Sequence, residues 1–163
     1  MLGLMNMDKN INELLGFVEM ALDELYLKDE HLFTYEAHEC SIVFRFAHYL
    51  QNLLDTHELF AQYNLDVEYN RNGRQPKRIP NSRNGVRPDV IIHRRGLNTH
   101  NLLMIEFKPP WDVYTYDDCQ KLKAFTKSSG EYAFQLGLSI VLGRKRNTVR
   151  IQYIVDGEVQ NNV

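Results

Sequence analysis

The chain has 163 residues, of which 44% are apolar and 25% are charged, values typical of one soluble globular domain. The net charge of −2 indicates no partner class by itself, and the composition argues against a disordered chain, a collagen or a coiled coil. No apolar run approaches the roughly 20 residues of a membrane span.

Targeting and cysteine signals favour the cytoplasm. The N-terminus lacks the basic lead and apolar stretch of a signal peptide. Cys40 and Cys119 are far apart in the chain and form no metal-binding spacing. We therefore expect free thiols in a reducing compartment, and no membrane partner.

The charges are distributed unevenly along the chain. Residues 1–70 carry a net charge of −10, residues 71–95 carry +7 and residues 96–163 carry +1. A basic block of this density is typical of a polyanion-binding surface, but also of a solvated loop that favours solubility. The charge pattern alone leaves both interpretations open.

The first half of the chain predicts helices followed by a strand. Apolar residues spaced three and four apart predict helices over residues 9–27 and 35–55, with a short helix or loop at 58–64. Apolar and acidic residues alternate over residues 65–69, which predicts a half-buried strand. Residues 70–87 are polar, basic and rich in Asn, Gly and Pro, which indicates a long loop.

The second half predicts strands around one helix. Residues 88–94 and 102–108 form apolar runs that predict a hairpin, and residues 113–127 predict a helix. Residues 132–142 and 148–155 predict two further strands. A helix between strands indicates a crossover in a mixed sheet, so we expect an α/β fold with about five strands and helices on both faces.

Charged residues occur at the ends of the two hairpin strands. Glu106 and Lys108 are two residues apart and so leave the same face of their strand, while Phe107 points to the other face. Asp89 follows Pro88 at the start of the preceding strand. Because antiparallel pairing brings that start beside the end of the next strand, we expect two carboxylates and an ammonium group to converge.

Clustered carboxylates repel each other unless a cation lies between them. Mg²⁺ suits such a site because it takes oxygen ligands, keeps several waters and accepts phosphate oxygens. The alternative is that Asp89 caps a turn and that Glu106 and Lys108 form a weak surface pair. The bare motif is expected by chance in about 5% of chains of this size.

These residues carry a resemblance to a known family. Pro88-Asp89 followed by Glu106-Phe107-Lys108 resembles the motif of the PD-(D/E)xK nuclease superfamily, which has the restriction endonuclease-like fold. Two further segments are similar to small stand-alone bacterial and phage members: Asp66-Val67-Glu68-Tyr69-Asn70-Arg71 and Asp118-Cys119-Gln120-Lys121-Leu122.

The resemblance implies a fold and an activity. The core of this family consists of a helix, three strands, a helix and a strand, and it resembles the element order of residues 36–155. Residues 1–30 would be an extra N-terminal helical extension, so that residues 1–163 form a single domain. The implied activity is metal-dependent hydrolysis of phosphodiester bonds, in DNA more than in RNA.

The resemblance also implies roles for the motif residues. Asp89 and Glu106 would coordinate Mg²⁺ or Mn²⁺, with the Phe107 carbonyl as a further ligand. Lys108 would orient or activate the attacking water. An acidic residue from the preceding helix, Glu39, would act on the metal directly or through water.

Several assignments stay open at the level of the sequence. Glu36 lies one turn before Glu39 on nearly the same face and competes with it as the helix acid. Trp111 either stacks on a base or, as we favour, belongs to the core or a lid. Glu68 either approaches the metal or, as we favour, pairs with an arginine of the basic loop.

The implied partner is nucleic acid. Arg71 and Arg87 would neutralise phosphates beside the site, and Lys121 would contact phosphate from the following helix. The alternative function is a non-catalytic module of the same fold that binds nucleic acid or a protein. A homodimer or a partner protein is compatible with the sequence, which does not distinguish endonuclease from exonuclease activity.

Overall fold

The computed structural model describes residues 9–80, 82–112 and 114–160. The predicted absence of a signal peptide concerns residues 1–8, which lie outside the described residues. The described chain is α/β, with a six-stranded mixed sheet, a separate two-stranded sheet and several helices. The predicted α/β class and mixed sheet are confirmed, although the main sheet has six strands rather than about five.

Four α-helices and two 3-10 helices are present in the described residues. The 3-10 helices are Glu58–Phe60 and Arg146–Thr148, and the α-helices are α1 (Lys9–Lys28), α2 (Glu30–Thr34), α3 (Glu39–Asp55) and α4 (Tyr116–Thr126). The short helix α2 was not predicted. Helix α3 begins four residues later than expected because Glu36 has a φ of 50°, which interrupts helical geometry. His38 then caps α3, since its Nδ1 accepts a hydrogen bond from the Cys40 N–H at 3.3 Å.

The main sheet has the order β1-β4-β5-β6-β7-β8. Its strands are β1 (Asn64–Val67), β4 (Val90–His93), β5 (Leu103–Lys108), β6 (Leu136–Val141), β7 (Arg150–Val155) and β8 (Glu158–Val159). Only β5 and β6 are parallel within this sheet, and α4 connects them as a crossover helix. The additional edge strand β8 follows β7 through a tight turn in which Asp156 and Gly157 both have positive φ.

The basic segment 70–87 contains a small hairpin rather than a loop alone. Strands β2 (Arg71–Asn72) and β3 (Gln75–Pro76) pair antiparallel around a turn at Gly73, whose φ of 57° favours glycine. Two-residue strands show no alternation pattern, which explains why the sequence indicated only a loop.

The two faces of the main sheet bury different side chains. Helices α1 and α3 cover one face, where Phe107 packs edge-on against Phe46 with ring centroids 4.9 Å apart. Helix α4 covers the other face, where Leu122 packs with Met104 and Ile91. The predicted arrangement of helices on both faces is therefore confirmed, and strand alternation places Glu106 and Lys108 on the α4 face.

Two simpler expectations concern thiols and membranes. Cys40 and Cys119 are both free thiols. Among the described residues, no helix combines the length and apolar character needed to cross a bilayer.

Candidate active site

The β4–β5 hairpin brings Asp89 to the end of β5. Pairing of Val90 with Ile105 continues the ladder towards Phe107, and Asp89 Oδ2 accepts a hydrogen bond from the Phe107 N–H at 2.7 Å. Continuing the register would place Pro88 opposite Phe107, but proline has no N–H to donate. The Phe107 carbonyl therefore receives no ladder hydrogen bond from Pro88, while Asp89 is fixed beside it.

Glu106 is the most deeply buried carboxylate of the site. It is 2% exposed, and its Oε2 lies 3.1 Å from Lys121 Nζ. Its Oε1 has no hydrogen-bond partner within the described residues. A buried carboxylate oxygen left unpaired is costly, and such an oxygen is a natural position for a cation or a water.

Helix α4 contributes an acidic and a basic side chain that link the site. Asp118 is buried, with its Oδ1 3.0 Å from Lys121 Nζ and its Oδ2 2.9 Å from Lys108 Nζ. Sequence reasoning included this segment in the family resemblance but assigned Asp118 no role. The available signal was an acid and a lysine three residues apart at the start of the helix after β5.

Glu39 and Glu36 occupy different environments. Glu39 is half-buried in the first turn of α3, within electrostatic reach of Lys108 and Asp118. Glu36 precedes the helix, is exposed and binds Arg144. Both acids line an open groove that also contains Lys108. Of the two competing acids, Glu39 is therefore the one that shares the electrostatic field of the site.

Burial and mutual repulsion shift the titration of the carboxyl groups. Burial raises the pKa of Asp89 to about 6, and the charges of Glu39 and Asp118 add to the increase while the Phe107 N–H opposes it. Burial and the charge of Asp89 raise the pKa of Glu106 well above its usual range. Burial also raises the pKa of Glu39.

The pKa values of the two lysines of the site are both raised, so both side chains stay protonated. Burial lowers the pKa of Lys108, but the hydrogen bond and charge of Asp118 outweigh burial and the net pKa is raised. The pKa of Lys121 is raised for similar reasons: burial is outweighed by Glu106 and Asp118. Both side chains are therefore ammonium donors in this arrangement.

The charge balance of the site accommodates a divalent cation. Four carboxyl groups meet two ammonium groups, Lys108 and Lys121, which leaves two negative charges if every acid is ionised: Glu39, Asp89, Glu106 and Asp118. Over residues 9–80, 82–112 and 114–160, no three Asp, Glu, His or Cys side chains are arranged to hold a metal by themselves. A cation here would need water ligands beside the carboxylates, which suits Mg²⁺.

The expected phosphate-binding residues separate into two places. Arg87 and Lys121 line one open groove beside the site. Arg71 is exposed and lines a different, small polar cavity with His93 and Tyr69. The structure thus brings Arg87 and Lys121 together but does not bring Arg71 to them.

The contacts of Glu68 bear on both alternatives that the sequence left open for this residue. Its Oε2 is 3.9 Å from Arg87 Nη1, which agrees with the favoured pairing to an arginine of the basic loop. Its Oε1 accepts a hydrogen bond from the Cys40 thiol at 3.6 Å, and its N–H donates to the Asp89 carbonyl at 3.2 Å. Glu68 therefore stabilises the backbone next to Asp89.

The chain matches no protein-family model, no curated protein and no solved structure. Any function assigned to it therefore depends on the geometry and chemistry of this site.

Proposed function

We propose that the protein is a metal-dependent nuclease of the restriction endonuclease-like fold, which hydrolyses phosphodiester bonds in DNA in preference to RNA. The observation that carries the proposal is the free Oε1 of Glu106, a 2% exposed carboxylate. Asp89 lies beside it and the Lys108 ammonium follows two residues later on the same face. A buried carboxylate oxygen without a hydrogen-bond partner is costly unless a cation or a water binds it.

The donor set fits Mg²⁺ or Mn²⁺. Asp89, Glu106 and the Phe107 carbonyl would hold the ion, and Glu39 would act on it directly or through water. When bound, such an ion neutralises charge that develops on the phosphate and on the leaving oxygen.

The chain's own residues position the reactants. Lys121 binds Glu106 Oε2 and so fixes the orientation of the carboxylate, which leaves Oε1 as the available oxygen. Asp118 holds the Lys108 ammonium 2.9 Å away at the end of β5. In that position Lys108 can donate a hydrogen bond that orients the attacking water and stabilises negative charge on the phosphate.

One observation favours the alternative of a non-catalytic binding module. Both lysines of the site form ion pairs with carboxylates, so they already neutralise part of the negative charge that a metal ion would otherwise balance. A module of this kind would bind nucleic acid or a partner protein without any effect of divalent metal.

Arg87 supplies a test of the phosphate-binding groove. We expect Arg87→Ala to weaken binding of a DNA duplex in EDTA by about threefold and to reduce the slope of log affinity against log salt by about 1. Fluorescence anisotropy at several salt concentrations measures both quantities. Lys127→Ala is the matched control, because Lys127 follows the C-terminal end of α4, and it should change neither the affinity nor the slope. Equal effects of the two variants would show that this groove is not part of the binding surface.

The proposed activity is tested by cleavage of supercoiled, linear and single-stranded DNA in Mg²⁺, Mn²⁺ or EDTA. We expect cutting that requires metal and disappears in Lys108→Ala. Cutting that persists in EDTA, or that Lys108→Ala leaves unchanged, would contradict the assigned site. Absence of cutting on every substrate, together with no increase in melting temperature in Mn²⁺, would favour the binding module.

A further inference from the structure

Three exposed aromatic rings follow Lys108 in the chain. Trp111 is 36% exposed, and Tyr114 and Tyr116 are 62% and 61% exposed. Trp111 directly follows Pro109-Pro110, the pair of prolines that ends β5. Trp111 therefore does not belong to the core, which was one of the two favoured interpretations of the sequence, while the other, a lid over the sheet edge, stays a prediction. Several large rings in one exposed segment beside a reactive site indicate a contact surface.

Trp111 lines the same groove as Lys108 and Glu39. The other groove of the site contains Arg87 and Lys121. Lys108 and Lys121 bind the two oxygens of one carboxylate, Asp118, at 2.9 and 3.0 Å. Asp118 therefore joins a lysine of one groove to a lysine of the other, and a strand that passes over both lysines would contact both grooves.

The two grooves offer different chemistry. Arg87 and Lys121 provide positive charge suited to phosphates. The groove of Trp111 also carries Glu36, Glu39 and Asp112, which disfavour a phosphate but tolerate a neutral base. On this side Lys108 can contact a phosphate at the site itself, and Trp111 offers an aromatic face on which a neighbouring base can stack.

We propose that Trp111 stacks on an unpaired base of single-stranded DNA whose neighbouring phosphate lies at Lys108, beside Asp89 and Glu106. Stacking on a side chain requires an exposed base face, which an intact duplex does not present. The inference rests on the proposed nuclease function and narrows its substrate to DNA with a single-stranded segment across the site.

Trp111 is the single tryptophan of the chain, so its fluorescence reports contact at this position directly. The full-length protein in EDTA is titrated with a 12-nucleotide single-stranded DNA, with the blunt duplex of the same sequence and with an abasic 12-mer. We expect saturable quenching by the single strand and little change with the other two. Equal quenching by the abasic strand, or no quenching at concentrations where anisotropy shows full binding, would overturn the proposal.

Variants separate stacking from general binding. We expect Trp111→Leu to weaken single-strand affinity at least about fivefold and duplex affinity by less than about twofold, while Trp111→Phe keeps most of the single-strand affinity. Phe44→Leu is the control, because Phe44 is also exposed but lies outside this groove. Melting temperatures verify that all three variants are folded. Equal losses in Trp111→Leu and Phe44→Leu, or no binding of single-stranded DNA by the wild type, would overturn the proposal.

These outcomes are distinguishable from failure of the nuclease proposal. Metal-dependent cleavage without a response of Trp111 would refute the stacking inference alone. Specific quenching by single-stranded DNA, with no cleavage in any metal and no increase in melting temperature in Mn²⁺, would refute the nuclease proposal and leave Trp111 as part of a single-strand-binding surface.

Discussion

Glu106→Gln is expected to lower the rate of metal-dependent DNA cleavage by about 10²–10³-fold. Glutamine keeps the shape of the side chain and can still accept the hydrogen bond from Lys121. It removes the negative charge, and with it the affinity of the buried Oε1 for a cation. The rate is measured in a single turnover with enzyme in excess over DNA, so that product release does not limit it.

Glu58→Gln is the matched control, since Glu58 lies in a 3-10 helix and lines neither groove of the site. Its cleavage rate should equal that of the wild type. Glu39→Gln should have an intermediate rate if Glu39 acts on the ion through water. Retention of the wild-type rate in Glu106→Gln would contradict the assigned role of this carboxylate.

Asp89→Asn is expected to stabilise the metal-free protein at pH 8 by about 3 kcal/mol, which corresponds to an increase in melting temperature of about 6–12 °C. Asparagine can still accept the hydrogen bond from the Phe107 N–H. It removes a carboxyl group whose negative charge is unfavourable in the buried position beside Glu106. Thermal unfolding in EDTA measures the difference.

The pH dependence of stability follows from the raised pKa of Asp89. Its pKa is about 6 in the folded protein and near the usual value of 3.8 in the unfolded chain. As the pH rises from about 4 to about 6, the unfolded chain loses this proton first, so unfolding becomes more favourable. We therefore expect the wild type without metal to lose stability across this range and Asp89→Asn to lose less.

Divalent metal should reverse the comparison. Mn²⁺ binds the folded wild type and so raises its melting temperature, whereas Asp89→Asn should gain much less. Asp55→Asn, an exposed control at the end of α3, should change stability by less than about 0.5 kcal/mol in either condition. A wild type whose stability in EDTA is constant from pH 4 to 8 would contradict the raised pKa of the buried Asp89 carboxyl group.

The hairpin of β4 and β5 shows what the sequence could predict. Apolar runs located both strands, and alternation correctly separated Phe107 from Glu106 and Lys108 because the two faces of a strand are set by local geometry. The antiparallel pairing then placed Asp89 beside β5. The contact itself, a hydrogen bond from the Phe107 N–H to the Asp89 side chain, required the three-dimensional structure.

The basic block shows what the sequence could not predict. Lys77 was counted among its positive charges, yet it is 2% exposed and lies between the rings of Tyr69 and Tyr132. Its ammonium donates to the Arg71 carbonyl, and burial lowers its pKa to about 8. Arg95 is bound by Asp66. A count of charges along the sequence does not include such tertiary contacts. It therefore overstates the positive charge that this segment can present to a polyanion.

Asp118 was missed for a related reason. A helix with an acid and a lysine three residues apart is common, and the pattern usually forms an exposed pair. Here the crossover after β5 turns the first part of α4 towards the strand end, so that Asp118 contacts Lys108 and Lys121. The role of Asp118 depends on the direction in which the crossover helix packs on the sheet. The spacing of two residues along the helix does not give that direction.

Binding of Mn²⁺ to the protein tests most directly whether the buried carboxylates hold a divalent cation. Electron paramagnetic resonance of free Mn²⁺ during a titration gives the number of ions bound. We expect one ion per chain in the wild type, displaced by Mg²⁺ and lost in Glu106→Gln. No binding at millimolar Mn²⁺, or the same binding in Glu106→Gln, would contradict a metal site at Asp89 and Glu106.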